Sequence, residues 1–329
     1  MRVSFDELKK LLKAIMIRFS FDERKAEVCA DIFASNSRDG VYSHGLNRFP
    51  VFIDYVRKGL IHPNGELSLV KKYGQVEVYD GQTGPGMYNA SVCTSRAVIL
   101  AKENGIGCVT VRNNNHWMRG GTYGWQAADA GCIAICFTNA IAGMPPWGGK
   151  DARLGNNPLV IAVPRKEGNL VLDMAMSQYS YGKMQEYEWS KQPLPFAGGF
   201  DESGNLSHDP AMIRRLKTAL PIGFWKGSGL AFMLDIVLTA LGGGKSTAEI
   251  TGSGNEIGLS QTFICIYQQD LHQALTEKII EFTKTSTRTN RDSPVRYPGE
   301  NTLATRIKNM REGIPVNQET WEAVKKMME

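Results

Sequence analysis

Up to Gly59 the apolar residues recur at helical spacing, and past the turn cluster His62-Pro63-Asn64-Gly65 they alternate or gather in short runs. That change of period constrains the fold most. A 3.6-residue pattern does not lie flat in a sheet, and a two-residue pattern does not suit a helix. Ser4 and Glu7 form a capping-box pattern ahead of Leu8, Leu11, Leu12 and Ile15. A second helix is predicted from Asp22 to about Ser37, burying Ala26, Cys29, Ile32 and Phe33. A third carries Phe49, Phe52, Ile53 and Val56, and Gly59 ends it.

Beyond the turn cluster, Val76 and Val78 alternate with polar residues as in a half-buried strand. A helix from Met87 to Glu103 precedes a short strand from Gly105 to Val111, with Arg112-Asn113-Asn114-Asn115-His116 as the loop at its end. A short helix to about Ala130 leads into a strand from Cys132 to Phe137. Further strands are predicted from Pro158 to Val163, Leu170 to Met174 and Ser260 to Tyr267. This alternation predicts α/β or α+β layering over a mixed sheet. Residues 184–222 are poor in pattern and rich in Gly and Pro, and are expected to be mostly surface loop. Gly229 to Leu241 is the most apolar helix, and its Asp235 must face a partner or an edge. Leu271 to Phe282 is helical, and two short helices follow Pro298 and Pro315. The helical C-terminus is expected to pack on the helical N-terminus. That pairing makes a discontinuous helical domain, 1–65 with 285–329, around a mixed-sheet domain, 66–284.

A chain of 329 residues buries enough surface to fold without disulfides or metal. None of its six cysteines forms a C-x-x-C pair, and most lie in apolar patterns, so reduced and mostly buried thiols are expected. A net charge of +5 spread along the chain argues against a nucleic-acid surface and leaves room for a basic pocket that takes an anionic substrate. No apolar run of about 18 residues is present. The N-terminus carries Asp6 and Glu7 without the apolar core of a signal peptide, so a cytoplasmic location is expected.

The usual nucleotide fingerprints fail. Gly105-Ile106-Gly107 has Thr110 where a dinucleotide motif needs its third glycine. Gly242-Gly243-Gly244-Lys245-Ser246 has Thr239 where a phosphate loop needs its first, and reads as a helix C-cap. Neither H-E-x-x-H nor G-x-S-x-G occurs, and no third ligand completes a metal site.

The stretch Asp39-Gly-Val-Tyr-Ser-His-Gly-Leu-Asn-Arg48 places a hydroxyl, an imidazole and a guanidinium within six residues. Gly40 and Gly45 let the backbone turn tightly or approach a ligand. Ser43 and His44 can hand on a proton, and Arg48 can hold a carboxylate with two parallel hydrogen bonds. The plainer reading is a linker turn with a surface histidine and arginine. His44 and His116 differ from His62, His208 and His272 in lying among Ser, Asn, Arg and Gly beside regular structure.

The segments Gly40–Arg48 and Arg112–His116 resemble signatures of the malate/L-lactate dehydrogenase family. Further matching blocks are Arg153–Leu159, Leu172–Ala175, Trp225–Leu230 and Pro298–Glu300. Within the family, His116–Trp125, Met144–Gly148 and Phe224–Lys226 are similar to a sugar-acid-reducing member. The resemblance implies a non-Rossmann fold, NADH or NADPH as cofactor, and a homodimer with the cofactor near the subunit interface. It implies reduction of a small 2-oxo sugar acid, with His44 protonating the carbonyl oxygen as hydride arrives at carbon 2. In that reading Ser43 and Asp173 support His44, Arg48 takes the substrate carboxylate, and His116 polarises the substrate or binds its hydroxyls. Asn113 to Asn115 and Arg119 would add polar contacts to the pocket. Cofactor contacts are expected from Asn169, Leu170, Val171, Leu172, Asp173, Met174 and Ala175, from Trp225 and Lys226, and from Gly299, Glu300 and Asn301. Asn301 departs from the residue expected there. Plainer roles remain open: Asp173 could cap a loop, Trp225 could be core, and Lys226 with Ser228 could merely begin a helix. A malate, L-lactate or other 2-hydroxyacid dehydrogenase of the same family is the alternative, and a cofactor-free hydrolase or lyase using His44 and His116, or a binding protein, are the other classes that these residues allow.

Overall fold

A computed structural model describes residues 1–290 and 292–329. Strand β1 (Arg2–Val3) leads into α1 (Phe5–Arg18), whose N-cap Ser4 accepts a hydrogen bond from Glu7 N at 3.1 Å. Then come α2 (Glu23–Arg38), capped by Asp22, and α3 (Phe49–Arg57). β2 (Ser68–Tyr73), β3 (Val76–Asp80), α4 (Gly86–Asn104), β4 (Ile106–Asn114), α5 (Gly121–Asp129) and β5 (Cys132–Thr138) follow. A small ladder of β6 (Ala142–Met144) and β7 (Leu154–Gly155) precedes the hairpin β8 (Leu159–Val163) and β9 (Leu170–Met174). Next are α6 (Tyr181–Trp189), β10 (Gly199–Phe200), β11 (Leu206–Ser207) and α7 (Pro210–Leu216). The chain ends with α8 (Trp225–Gly242), α9 (Thr247–Gly252), β12 (Leu259–Tyr267), α10 (Gln273–Lys284), α11 (Glu300–Glu312), β13 (Ile314–Pro315) and α12 (Gln318–Lys325).

Seven strands form one mixed sheet in the order β2-β3-β4-β12-β5-β8-β9. Only β3 and β4 run parallel, and α4 makes the crossover between them. Strand alternation sorts side chains to two faces. Cys136 and Phe263 pair on the face covered by α4 and α5, while the neighbouring pair Ile135 and Ile264 faces α8. A third core lies among the helices, where Trp321 and Val324 of α12 join Leu8, Leu12, Phe33 and Phe49. β1 pairs antiparallel with β13, so both chain ends share this core. Among the described residues, no helix is long and apolar enough to cross a membrane.

Four expectations need correction. β4 continues through Arg112, Asn113 and Asn114, which were expected in a loop. The asparagines are consumed in structure. Asn114 Nδ2 donates to Gln261 Oε1 at 2.5 Å, and Asn115 Nδ2 donates to Thr83 O at 2.7 Å. Residues 184–222 contain α7, β10, β11 and most of α6, with Met184, Leu194, Ile213 and Ala219 buried beneath them. These elements are too short for periodicity to reveal, although the Asp209 cap with Pro210 behind it is a helix-start signal. Glu77, a polar residue of the expected half-buried strand, is only 1% exposed. Arg96 hydrogen-bonds its carboxylate through Nε and Nη2 at 2.8 and 2.6 Å and holds its pKa down at about 2. Finally, α11 is a full 13 residues rather than a short helix.

Candidate active site

The Ser-His-Arg segment forms two successive 3-10 turns, Tyr42–His44 and Leu46–Arg48, between α2 and α3. Both glycines are needed. Gly40 sits at φ +84°, and a Cβ on Gly45 would lie 2.2 Å from Ser37 Oγ. The end of α2 braces the turns. Ser37 Oγ accepts from Leu46 N at 2.9 Å, and Asn36 Nδ2 donates to His44 O at 2.9 Å.

Two cavities meet at this segment. The first, about 600 Å³, is lined by Val171, Leu172, Asp173 and Ala175 of the β9 region, by residues 116–120, and by residues 296–299. The second, about 790 Å³, is lined by Asn47, Arg48, Tyr181, Gln185 and Glu256, among others. Ser43, His44, His116, Asn156 and Ser180 border both.

The imidazoles of His44 and His116 lie 5.7 Å apart between centroids and 15° from parallel. Ser43 Oγ is 3.1 Å from His44 Nδ1. Met118 N donates to His116 Nδ1 at 3.0 Å, so neutral His116 carries its proton on Nε2 and is a donor there. Met118 holds φ at +65°, a strained conformation next to the site. Burial, together with the neighbouring His116, Arg48 and Arg119, pushes His44 down to about 3. Burial and Arg48 push His116 down to about 3 as well. Both rings are therefore neutral near pH 7.

Arg48 Nη2 is 3.7 Å from Glu256 Oε2, an ion pair too long for a hydrogen bond. Asp173 Oδ2 accepts from Gly121 N at 2.8 Å and lies 3.8 Å from Arg119 Nε. Desolvation by the surrounding cavity wall raises the Asp173 carboxyl, whose side chain is 27% exposed, against the opposing pull of Arg119 and the Gly121 N–H. Arg119 Nη1 donates to Asp39 Oδ2 at 2.9 Å, while its buried Nε has no hydrogen-bond partner among the described residues. Arg306 holds Asp39 with two further bonds, at 2.9 and 2.8 Å.

The family model of the malate/L-lactate dehydrogenases matches residues 3–325. The chain belongs to that family. It is therefore an oxidoreductase, in a family whose members work with a nicotinamide cofactor. It is 41% identical over 330 residues to the 2,3-diketo-L-gulonate reductase of Escherichia coli (strain SE11), covering 98% of this chain and 99% of the relative. The 2,3-diketo-L-gulonate reductase of Shigella flexneri is equally similar, at 41% identity and the same coverage. Malate dehydrogenase from Entamoeba histolytica superposes with a TM-score of 0.93 at 26% identity, over 99% of this chain and 97% of that one. Sulfolactate dehydrogenase from Methanocaldococcus jannaschii gives 0.91 at 28% identity, over 99% and 96%.

Measured against what the family resemblance implied, the structure brings Ser43, His44, His116, Val171, Leu172, Asp173, Ala175 and Gly299 together around the first cavity. Arg48 joins Ser43, His44 and His116 around the second. Leu170 and Met174 line neither cavity. Asn169 braces the β8–β9 turn by accepting from Arg165 N and donating to Asp129. Glu300 pairs with Lys284, and Asn301 accepts from Arg296. Trp225 is 64% exposed at the start of α8, so it is not core, and both it and Lys226 lie outside the two cavities. Asp173 does cap a neighbour, the first turn of α5, and its bond goes to Gly121 rather than to His44. Sequence reasoning missed Asn156, Ser180 and Glu256. Asn156 lay in a recognised block, whereas Ser180 and Glu256 carry no local motif.

Proposed function

We propose that this chain reduces 2,3-diketo-L-gulonate to 3-dehydro-L-gulonate with NADH, His44 giving the proton to the oxygen at carbon 2. The observation that carries this reading is the meeting of two cavities at His44 and His116. One volume suits a cofactor and the other a small acid, with proton-carrying groups between them. The 41% identity to reductases of that name supports the substrate.

The first cavity fits a dinucleotide. Its volume is in the usual ligand range, and Arg119 offers it a buried Nε–H without a hydrogen-bond partner among the described residues. Val171, Leu172, Asp173, Ala175 and Gly299 would hold the cofactor, which when bound supplies the hydride. The chain's own residues do the rest. Arg48 takes the substrate carboxylate in a planar fork. That anion offsets the Arg48 and Arg119 charges that add to burial in keeping His44 neutral, so substrate binding favours the protonated ring. In imidazolium form its Nδ1–H donates to Ser43 Oγ, which orients the ring and leaves Nε2–H for the substrate oxygen. His116 Nε2–H binds a second substrate oxygen.

The protein is proposed to act as a cytoplasmic homodimer. α8 supports the dimer, because Trp225, Phe232, Met233 and Ile236 present an exposed apolar face that a second subunit would cover. The six free thiols fit a reducing compartment. The test is loss of NADH or NADPH absorbance with 2,3-diketo-L-gulonate, pyruvate and oxaloacetate. The highest kcat/KM is expected for 2,3-diketo-L-gulonate with NADH. Faster turnover of oxaloacetate or pyruvate would make the chain a malate or lactate dehydrogenase instead.

A further inference from the structure

The second cavity contains a carboxyl group that the proposed reaction does not use. Glu256 lies between α9 and β12, and its side chain is 16% exposed. Its Oε1 accepts from Ile141 N at 3.3 Å, and its Oε2 faces Arg48 at 3.7 Å. A carboxylate has about four acceptor positions, so most of the capacity of Glu256 remains open beside the group expected to hold the substrate. Burial raises its pKa, against the opposing pull of Arg48 and the Ile141 N–H. The other acid of this wall with a direct cation is Glu186, paired to Lys183 at 2.8 Å.

We propose that Glu256 determines specificity by accepting hydrogen bonds from hydroxyl groups on the carbon chain of a 2-oxo acid whose carboxylate Arg48 holds. This rests on the reading of the second cavity as the substrate site. A hydroxylated chain satisfies the buried acceptor that water would otherwise serve. An unsubstituted chain leaves it unpaired, which disfavours that substrate. A chain with a second carboxylate brings like charge against it. One side chain thus favours polyhydroxylated acids and rejects both pyruvate-like and dicarboxylic ones.

The test is Glu256→Gln, which keeps size and the acceptor for Ile141 N but removes the charge. Calorimetry on the whole protein measures binding of L-threonate, propionate and succinate, with no turnover required. The variant is expected to bind L-threonate roughly tenfold more weakly, as for a lost charge-assisted hydrogen bond, to bind propionate unchanged, and to bind succinate more tightly. Equal shifts for threonate and propionate, or none, overturn the proposal. If the variant does not fold, Glu256→Asp, which withdraws the carboxylate by one methylene, is expected to weaken threonate alone. Parallel NADH assays separate the two readings. A wild-type protein that binds threonate through Glu256 but oxidises no NADH loses the reductase reading and keeps this one. Normal turnover with an unchanged ratio of kcat/KM for 2,3-diketo-L-gulonate over pyruvate does the reverse.

Discussion

The imidazole of His44 stacks within 15° of parallel on that of His116, 5.7 Å away, at the junction of two cavities. His44 has the Ser43 hydroxyl at Nδ1, which can accept from a protonated ring, whereas His116 Nδ1 is already occupied by the Met118 N–H. His44→Ala is therefore expected to lower kcat by roughly 100-fold or more, as for loss of a general acid, and to leave NADH affinity near normal. Fluorescence titration with NADH and steady-state rates check both halves. Wild-type kcat in this variant would remove His44 from the chemistry.

Acid should uncover the neutral state of the two rings. Each has a folded-state pKa near 3, below the ordinary value of about 6.5. Between those limits the unfolded chain binds more protons than the folded one, so this contribution to stability is full above about pH 6.5 and declines as pH falls toward 3. Denaturant melts across that window should show the decline, and His44→Asn with His116→Asn should flatten it. NMR should find both rings neutral at pH 5, with His44 titrating at higher pH once oxamate is bound.

Gly182 lies in the first turn of α6, where a Cβ would come within 2.7 Å of Ser43 Cβ and 2.8 Å of Ser43 Oγ. Alanine ordinarily stabilises a helix relative to glycine by about 1 kcal/mol. Here it must displace Ser43 and with it the orientation of His44. Gly182→Ala is expected to keep its melting temperature within a few degrees and to lose roughly tenfold or more in kcat. Undiminished kcat would show that Ser43 does not position the ring.

The helices around the site were legible because their apolar residues repeat. The expected helix from Asp22 to about Ser37 is α2, Glu23–Arg38. Strand β12 was legible as a short apolar run, but its central place between β4 and β5 was not, because antiparallel pairing leaves no sequence mark. The Asn113–Asn115 run read as pocket lining because asparagine suits both ligands and buried backbone. The structure spends Asn114 and Asn115 on buried backbone and side-chain partners. Glu256 was invisible for the opposite reason. It stands in an ordinary turn, and only the fold brings it to Arg48.

The exposed face of α8 predicts association. Phe232 is 54% and Met233 51% exposed on the most apolar helix of the chain. Sedimentation should give twice the chain mass for the wild type, and Phe232→Asp should shift it toward the single chain. A wild type that sediments as a single chain would remove the homodimer from the proposed function.

Asp39 ties the site to the C-terminal helices. Burial alone would raise its carboxyl, but the hydrogen bonds of Arg306 and the charges of Arg119 and Arg38 outweigh it and hold its pKa below the ordinary value. Its side chain is 4% exposed and that of Arg119 6%, so removing the anion strands a buried guanidinium beside Asp173. Asp39→Asn is expected to cost roughly 3 kcal/mol or more, the usual result of breaking one side of a buried pair. A depressed carboxylate stabilises the fold above its unfolded pKa and loses that effect as pH falls through the folded value. The gap between wild type and Asp39→Asn should therefore be full at neutral pH and narrow in strong acid, as urea melts at several pH values will read. A gap that stays constant down to the acid limit would mean that shape, rather than charge, is what Asp39 contributes.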